Sequence, residues 1–304
     1  MQNSSHLLMI RPVRFEYNEQ TAVNNSFQIP VKDDHIAAKA MQEFDAFVSV
    51  LTKNGIDVTV VEDSLDPHTP DSVFPNNWIS FHEDGSICLY PMFAENRRSE
   101  RKQHVLDIIG EKFSIQHMID LSKYEDENVF LEGTGSMVLD RDKKIAYACL
   151  STRTDQKLLE KFCELFNYTP VSFIAVDAAK QPIYHSNVLM CMADEYAVIC
   201  LDSIADPAQR KTVMDKIISS GKEIIDISFD QMNHFAGNML QVKNNAGEKL
   251  LVMSTQAYNS LRTDQLNRLL SFNKIIHSTI TNIETNGGGS ARCMMAEIFL
   301  PLKS

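Results

Sequence analysis

From residue 76 onward the chain repeats one pattern with a period of about fifty residues. A short apolar run, a polar turn and a second apolar run come first; an amphipathic stretch and a third apolar run complete the cycle. In one copy, residues 78–81 lead through His82-Glu83-Asp84-Gly85 to residues 87–90, which predicts a hairpin turned on glycine. Residues 97–110 then read as a helix stopped by Gly110. The next copy gives strands at 135–139 and 145–150, a helix at 155–166 opened by Thr154, and a strand at 171–176. A further one gives strands at 188–192 and 197–201, a helix at 207–219 closed by Gly221, and a strand at 223–227. The last has strands at 239–242 and 250–254, a helix at 263–272 and a strand at 274–277. One unit is split between the ends of the chain: a strand at 7–10, a helix at 36–54 and a strand at 58–61, with 293–300 as the closing strand.

Five βββα-type units of this size cannot each bury a core alone. The expected fold is therefore α/β, with the units packed about a pseudo-five-fold axis as one domain over residues 1–304. Residues at the start of each unit's first strand would then face a shared central funnel.

Composition narrows the function without naming it. A formal charge of -11 argues against nucleic acid or an anionic membrane as the main partner. No apolar run is long enough to span a bilayer, and the four apolar residues before Arg11 are too few for a secretory leader. The six cysteines show no CxxC or zinc spacing and five lie in apolar text, so a cytoplasmic protein with reduced thiols is expected. Nothing calls for a metal or organic cofactor, and the sequence gives no indication of oligomeric state.

The repeat itself selects candidate chemistry. Asn77, Gly135 (just after Glu132), Asn187 and Asn238 fall at or just before the first strand of successive units, so polar groups recur at one structural level. His185 stands two residues before Asn187. Beyond the last unit, three glycines, 287–289, run into Arg292 and Cys293. A bare glycine loop beside a fixed cation is a way to present a reactive thiolate. Cys293, His185 and Glu132 together supply a nucleophile, a proton carrier and a carboxylate.

Glu132-Gly133-Thr134-Gly135, His185-Ser186-Asn187 and the run from Gly287 to Cys293 resemble the three catalytic motifs of the pentein, or guanidine-modifying, superfamily. That group includes arginine deiminases, dimethylarginine hydrolases, amidinotransferases and succinylarginine dihydrolase. The resemblance covers essentially the whole chain and implies a five-bladed α/β propeller. It implies Cys293 as nucleophile, His185 as proton donor and acceptor, and Glu132 as a group binding substrate nitrogen. Arg153 is similar to the arginine that clamps the substrate α-carboxylate, a task suited to its bidentate fork. Asn77, Asn187 and Gly288 are further candidate substrate contacts, and Arg98 or its neighbour Arg97 a second clamp.

The sequence also departs from the arginine deiminase pattern. Asn77 and Asn187 stand where that branch carries two aspartates that grip a guanidinium. Asparagine supplies no countercharge, but its amide both donates and accepts, which suits a neutral ureido group. The expected substrate is thus a small amino acid, citrulline first, giving ornithine. Arginine or methylarginine hydrolysis, amidino transfer to an amine and a catalytically silent propeller are the alternatives.

Overall fold

The computed structural model describes residues 1–31 and 33–303. Its strands form five separate three-stranded sheets. Four are built alike, each from a contiguous stretch of chain. In the first of these, Ile79–Phe81 pairs antiparallel with Ser86–Leu89, which pairs parallel with His117–Asp120. The same order is repeated by Val138–Asp140, Ile145–Cys149 and Thr169–Phe173. Met190–Met192, Tyr196–Ile199 and Glu223–Asp226 make the next sheet, and Leu240–Lys243, Lys249–Ser254 and Lys274–Ser278 the last of the four.

The parallel step needs a crossover, and a helix supplies it each time. These helices are Gln103–Lys112, Gln156–Phe166, Pro207–Ser219 and Thr263–Phe272. The fifth sheet joins both ends of the chain. His6–Arg11 pairs parallel with Asp57–Glu62 across the helix Ile36–Lys53, and antiparallel with Ala296–Ile298, where Leu7 meets Glu297. The middle strand of each four-fold-repeated sheet is buried throughout or nearly so, which is why these runs read as continuously apolar.

Several boundaries differ from the pattern-based expectation. The stretch 97–110 is two helices, Glu95–Arg98 and Gln103–Lys112, and Gly110 lies inside the second. The break between them is held by side-chain ion pairs: Arg97 with Glu100, Arg101 with Glu125 and Lys102 with Asp63. Asp155, not Thr154, caps the following helix, its carboxylate accepting from the Leu158 N–H. The third strand of that unit ends at Phe173. The closing strand is only Ala296–Ile298, so Cys293 sits in the turn before it, its N–H bonded to Ser290 O. No described helix is long and apolar enough to cross a membrane.

Candidate active site

Short helical turns, rather than strand entries, carry the polar level of the repeat. Asn77 ends the 3₁₀ turn Pro75–Asn77; Glu132 precedes the turn Gly133–Ser136; His185 precedes Ser186–Leu189. Each turn leads directly into the first strand of its unit, so their side chains arrive at one end of the sheets. Gly135 is required by this convergence: a Cβ there would lie 2.4 Å from the Asn77 amide and 2.8 Å from the His185 ring. Gly288 has φ +64°, a conformation glycine takes without strain, and it lets the chain turn toward Cys293.

A cavity of about 20 Å³ lies where these turns meet, lined among others by Asp71, Asn77, Arg97, Arg153, His185 and Cys293. Its roof is the segment 18–28. Asn25 Nδ2 donates to Gly288 O at 3.3 Å and Gln28 Nε2 to Asn286 O at 3.0 Å. The space holds a water or so.

Cys293 is buried, and two carboxamides reach its sulfur: Nδ2 of Asn187 and Nδ2 of Asn238, both at 3.3 Å from Sγ. His185 Nε2 is 2.8 Å from Glu132 Oε2. Burial raises the cost of ionising Glu132, but Arg153 at 3.5 Å and His185 outweigh it and hold the carboxyl near about 2. A carboxylate only accepts, so the hydrogen sits on Nε2 and the lone pair on Nδ1 of His185 is left free. Burial also keeps His185 below the usual imidazole range, against the upward pull of Glu132, so the ring is neutral near pH 7.

Glu132 is fully buried and does not line the cavity; it stands behind His185, with Oε1 accepting from the Phe93 N–H at 2.9 Å. The sequence leads one to expect a substrate contact; the partners of Glu132 in the structure are the His185 ring, Arg153 and the Phe93 N–H. Arg153 does line the cavity, packed 4.8 Å over the Tyr184 ring, and its guanidinium donates to Thr21 O and Asn24 Oδ1 of the roof. Tyr184 in turn donates to Gly288 O at 2.8 Å.

Of the adjacent arginines, the structure brings Arg97 to the site and turns Arg98 away. Arg97 donates to both oxygens of Glu100, to Asn77 Oδ1 at 2.8 Å and to Phe74 O. Arg98 bonds Met92 O, lies 3.6 Å from Glu125 and is not among the cavity's lining residues. The signal was present in sequence: Glu100 stands three residues after Arg97, the spacing of a helical ion pair. Asp71, outside the candidates that the repeat and the motifs select, also lines the cavity. Its Oδ2 accepts from Asn18 at 2.7 Å and Thr21 at 3.1 Å, whereas buried Oδ1 has no partner among the described residues. Burial raises its carboxyl above the usual range, and Arg97, 3.9 Å away, offsets only part of that.

No curated protein matches the chain. Among solved structures, the apo form of ArgZ, an arginine dihydrolase of the ornithine-ammonia cycle in Cyanobacteria, superposes with TM-score 0.75 at 16% identity, over 98% of this chain and 41% of ArgZ. The chain thus spans well under half of full-length ArgZ, but its match to the substrate-bound N-terminal domain of that protein covers 97% of this chain and 98% of the domain, at TM-score 0.75 and 16% identity. A dimethylarginine dimethylaminohydrolase holding an S-methyl-L-thiocitrulline adduct matches with TM-score 0.67 at 14% identity, over 97% of this chain and 100% of that one. These likenesses establish the shared fold. The family profile of eukaryotic N,N-dimethylarginine dimethylhydrolase matches residues 11–300, and the chain therefore belongs to that family, within the pentein superfamily of arginine-modifying hydrolases.

Proposed function

We propose that the protein is a Cys293-dependent hydrolase of a ureido amino acid, with citrulline as substrate, built as one domain whose five units close into an α/β propeller. The observation that carries the substrate assignment is the charge census of the cavity. Among the described residues, its lining holds two guanidinium groups, Arg97 and Arg153, and one carboxylate, Asp71. A zwitterionic α-amino acid uses the arginines for its carboxylate and Asp71 for its ammonium. No anion is then left for a cationic side chain, and burying an unpaired guanidinium costs several kcal/mol. The groups at the sulfur are the neutral amides of Asn187 and Asn238. Asn187 Oδ1 is buried without a partner, free to accept from a ureido N–H.

In this reading His185 Nδ1 takes the Cys293 proton, and the thiolate attacks the ureido carbon. The C–N bond to the ornithine nitrogen breaks as His185 returns the proton to that nitrogen, leaving an S-carbamoyl group on Cys293. Water, deprotonated by Nδ1, then attacks the same carbon; the C–S bond breaks and carbamate leaves, decomposing to ammonia and carbon dioxide. Glu132 holds the ring and stabilises the imidazolium in both halves.

Hydrolysis of a guanidino group is the second reading, favoured by the partnerless Asp71 Oδ1 and by the family. Purified protein is to be assayed with citrulline, arginine, agmatine and methylated arginines, beside Cys293→Ser. Citrulline is expected to yield ornithine and ammonia, and Cys293→Ser nothing. Turnover of arginine without citrulline would refute the ureido assignment, and activity surviving in Cys293→Ser would refute the mechanism.

A further inference from the structure

Asn238 occupies in its unit the position that Asn187 occupies in the preceding one, and no side-chain polar group of it is idle. The residue is fully buried. Its Oδ1 accepts from the backbone N–H of Arg292 at 2.9 Å. That partner is a donor, so the oxygen has to face it and the orientation of the carboxamide is fixed by the network. Nδ2 therefore points the other way, with one N–H on Asn187 O at 2.9 Å and the other toward Cys293 Sγ at 3.3 Å. Asn187 also reaches the sulfur, but its Oδ1 has no partner among the described residues, so no second bond from them pins that amide.

We propose that Asn238 is a catalytic residue, donating a hydrogen bond to the Cys293 thiolate while its oxygen fixes the backbone turn that aims the sulfur. The assignment rests on Cys293 being the nucleophile, and not on which carbon it attacks. A donor preorganised by two other bonds needs no rearrangement when charge develops on sulfur. Its effect follows the charge. When the C–S bond forms, negative charge leaves the sulfur and the hydrogen bond weakens. When water attacks the S-carbamoyl carbon and the C–S bond breaks, the electron pair returns to sulfur and the bond strengthens. Asn238 therefore assists the second half-reaction, in which the thiolate is the leaving group, as well as the formation of the free thiolate. A neutral amide donor stabilises the anion without a full countercharge, which leaves the sulfur nucleophilic.

Two substitutions separate the roles. Asn238→Ala removes donor and acceptor. Asn238→Asp keeps an acceptor for the Arg292 N–H and replaces the donor to both Cys293 Sγ and Asn187 O with a carboxylate oxygen. Alkylation of Cys293 by iodoacetamide, followed by mass spectrometry over a pH series, requires no substrate. The wild-type rate near neutral pH is expected to fall by about tenfold or more in either variant, the worth of one charge-assisted hydrogen bond. The pH profile should also move upward, further for Asp than for Ala, because the carboxylate sets a like charge beside the thiolate. During citrulline turnover, the Asn238→Ala protein should accumulate the mass of the carbamoyl adduct.

Wild-type alkylation rate and profile in Asn238→Asp would overturn the proposal, whatever the behaviour of Asn238→Ala, since a purely structural residue gives that result. Slowed alkylation in a protein that turns over arginine instead of citrulline would remove the substrate assignment and leave Asn238 in place.

Discussion

At Glu132, Arg153 and the hydrogen bond to His185 together set an acid limit on the fold, and that bond also sets the His185 tautomer. Glu132 stays ionised down to about 2 in the folded chain against 4.5 for the ordinary group. Between those values the unfolded chain takes up the proton first, so the stabilisation is complete above 4.5 and is lost as pH falls toward 2. His185, neutral because it is buried, acts in the same direction: the unfolded ring protonates near 6.5 and the folded one below it. Urea unfolding at a series of pH values should show stability falling with acid below 6.5. Glu132→Gln should remove the part below 4.5, worth about 3 kcal/mol. Asp71 gives a kinetic test at the same scale. If it holds the substrate ammonium, Asp71→Asn raises the KM for citrulline by about ten- to a hundredfold with kcat nearly unchanged. A fall in kcat at constant KM would place Asp71 at the reacting carbon instead.

The residues that sequence left unplaced share a physical cause. Asn77, His185, Asn187 and Asn238 were found because a repeating element puts them at one level, and the structure places all four around the thiol end of the sheets. Arg97 and Arg98 sit side by side on one helical turn, where adjacent side chains point in different directions, so nothing short of the partner Glu100 separates them. Asp71 and the roof residues belong to irregular segments without a period, and pattern reading has no purchase there.

Among elements, the segment 18–28 supplies Thr21 and Asn25 to the cavity wall. Arg153 and Asp71, both assigned here to substrate, spend their hydrogen bonds on Thr21, Asn24 and Asn18 of this segment. The cavity of about 20 Å³ is far smaller than citrulline, so the proposed binding of an amino acid is expected to displace those contacts. Gln28→Ala, which deletes the bond to Asn286 O, should speed amide hydrogen exchange in 18–28 while exchange in the five sheets is unchanged. Saturating citrulline should slow it again. The helix Gln156–Phe166 supplies an independent check on the observed boundary: Asp155→Ala should cost about 1 kcal/mol, and Thr154→Ala should not remove a cap. Thr154 and Asp155 are neighbours and both are able caps, which is why the amphipathic pattern fixed the helix but not its first residue.

Over the whole molecule, four sheets are contiguous in the chain and one is not. Repeat counting reached this arrangement because every unit writes the same apolar–polar order, while the closing strand was drawn too long. The apolar run after Cys293 is buried by the turn as well as by the strand, and burial alone does not distinguish them. Ile298 pairs with His6 and is buried among Leu8, Trp78 and Phe81. Ile298→Ala should cost about 2–5 kcal/mol in unfolding free energy. It should also slow Cys293 alkylation or turnover more than an equally destabilising change in another sheet, because the strand anchors the turn that holds the thiol.

The join of Ala296–Ile298 to His6–Arg11 also has a consequence for how the thiol is kept in place. The strand that follows Cys293 is held by a segment remote from it in the sequence, and closing so long a loop costs entropy that no local contact returns. If that one pairing opens while the other four sheets stay shut, the turn carrying Cys293 loses its anchor and the rest of the pocket keeps its own. Reactivity of the thiol is therefore a local gauge of whether the discontinuous sheet is closed.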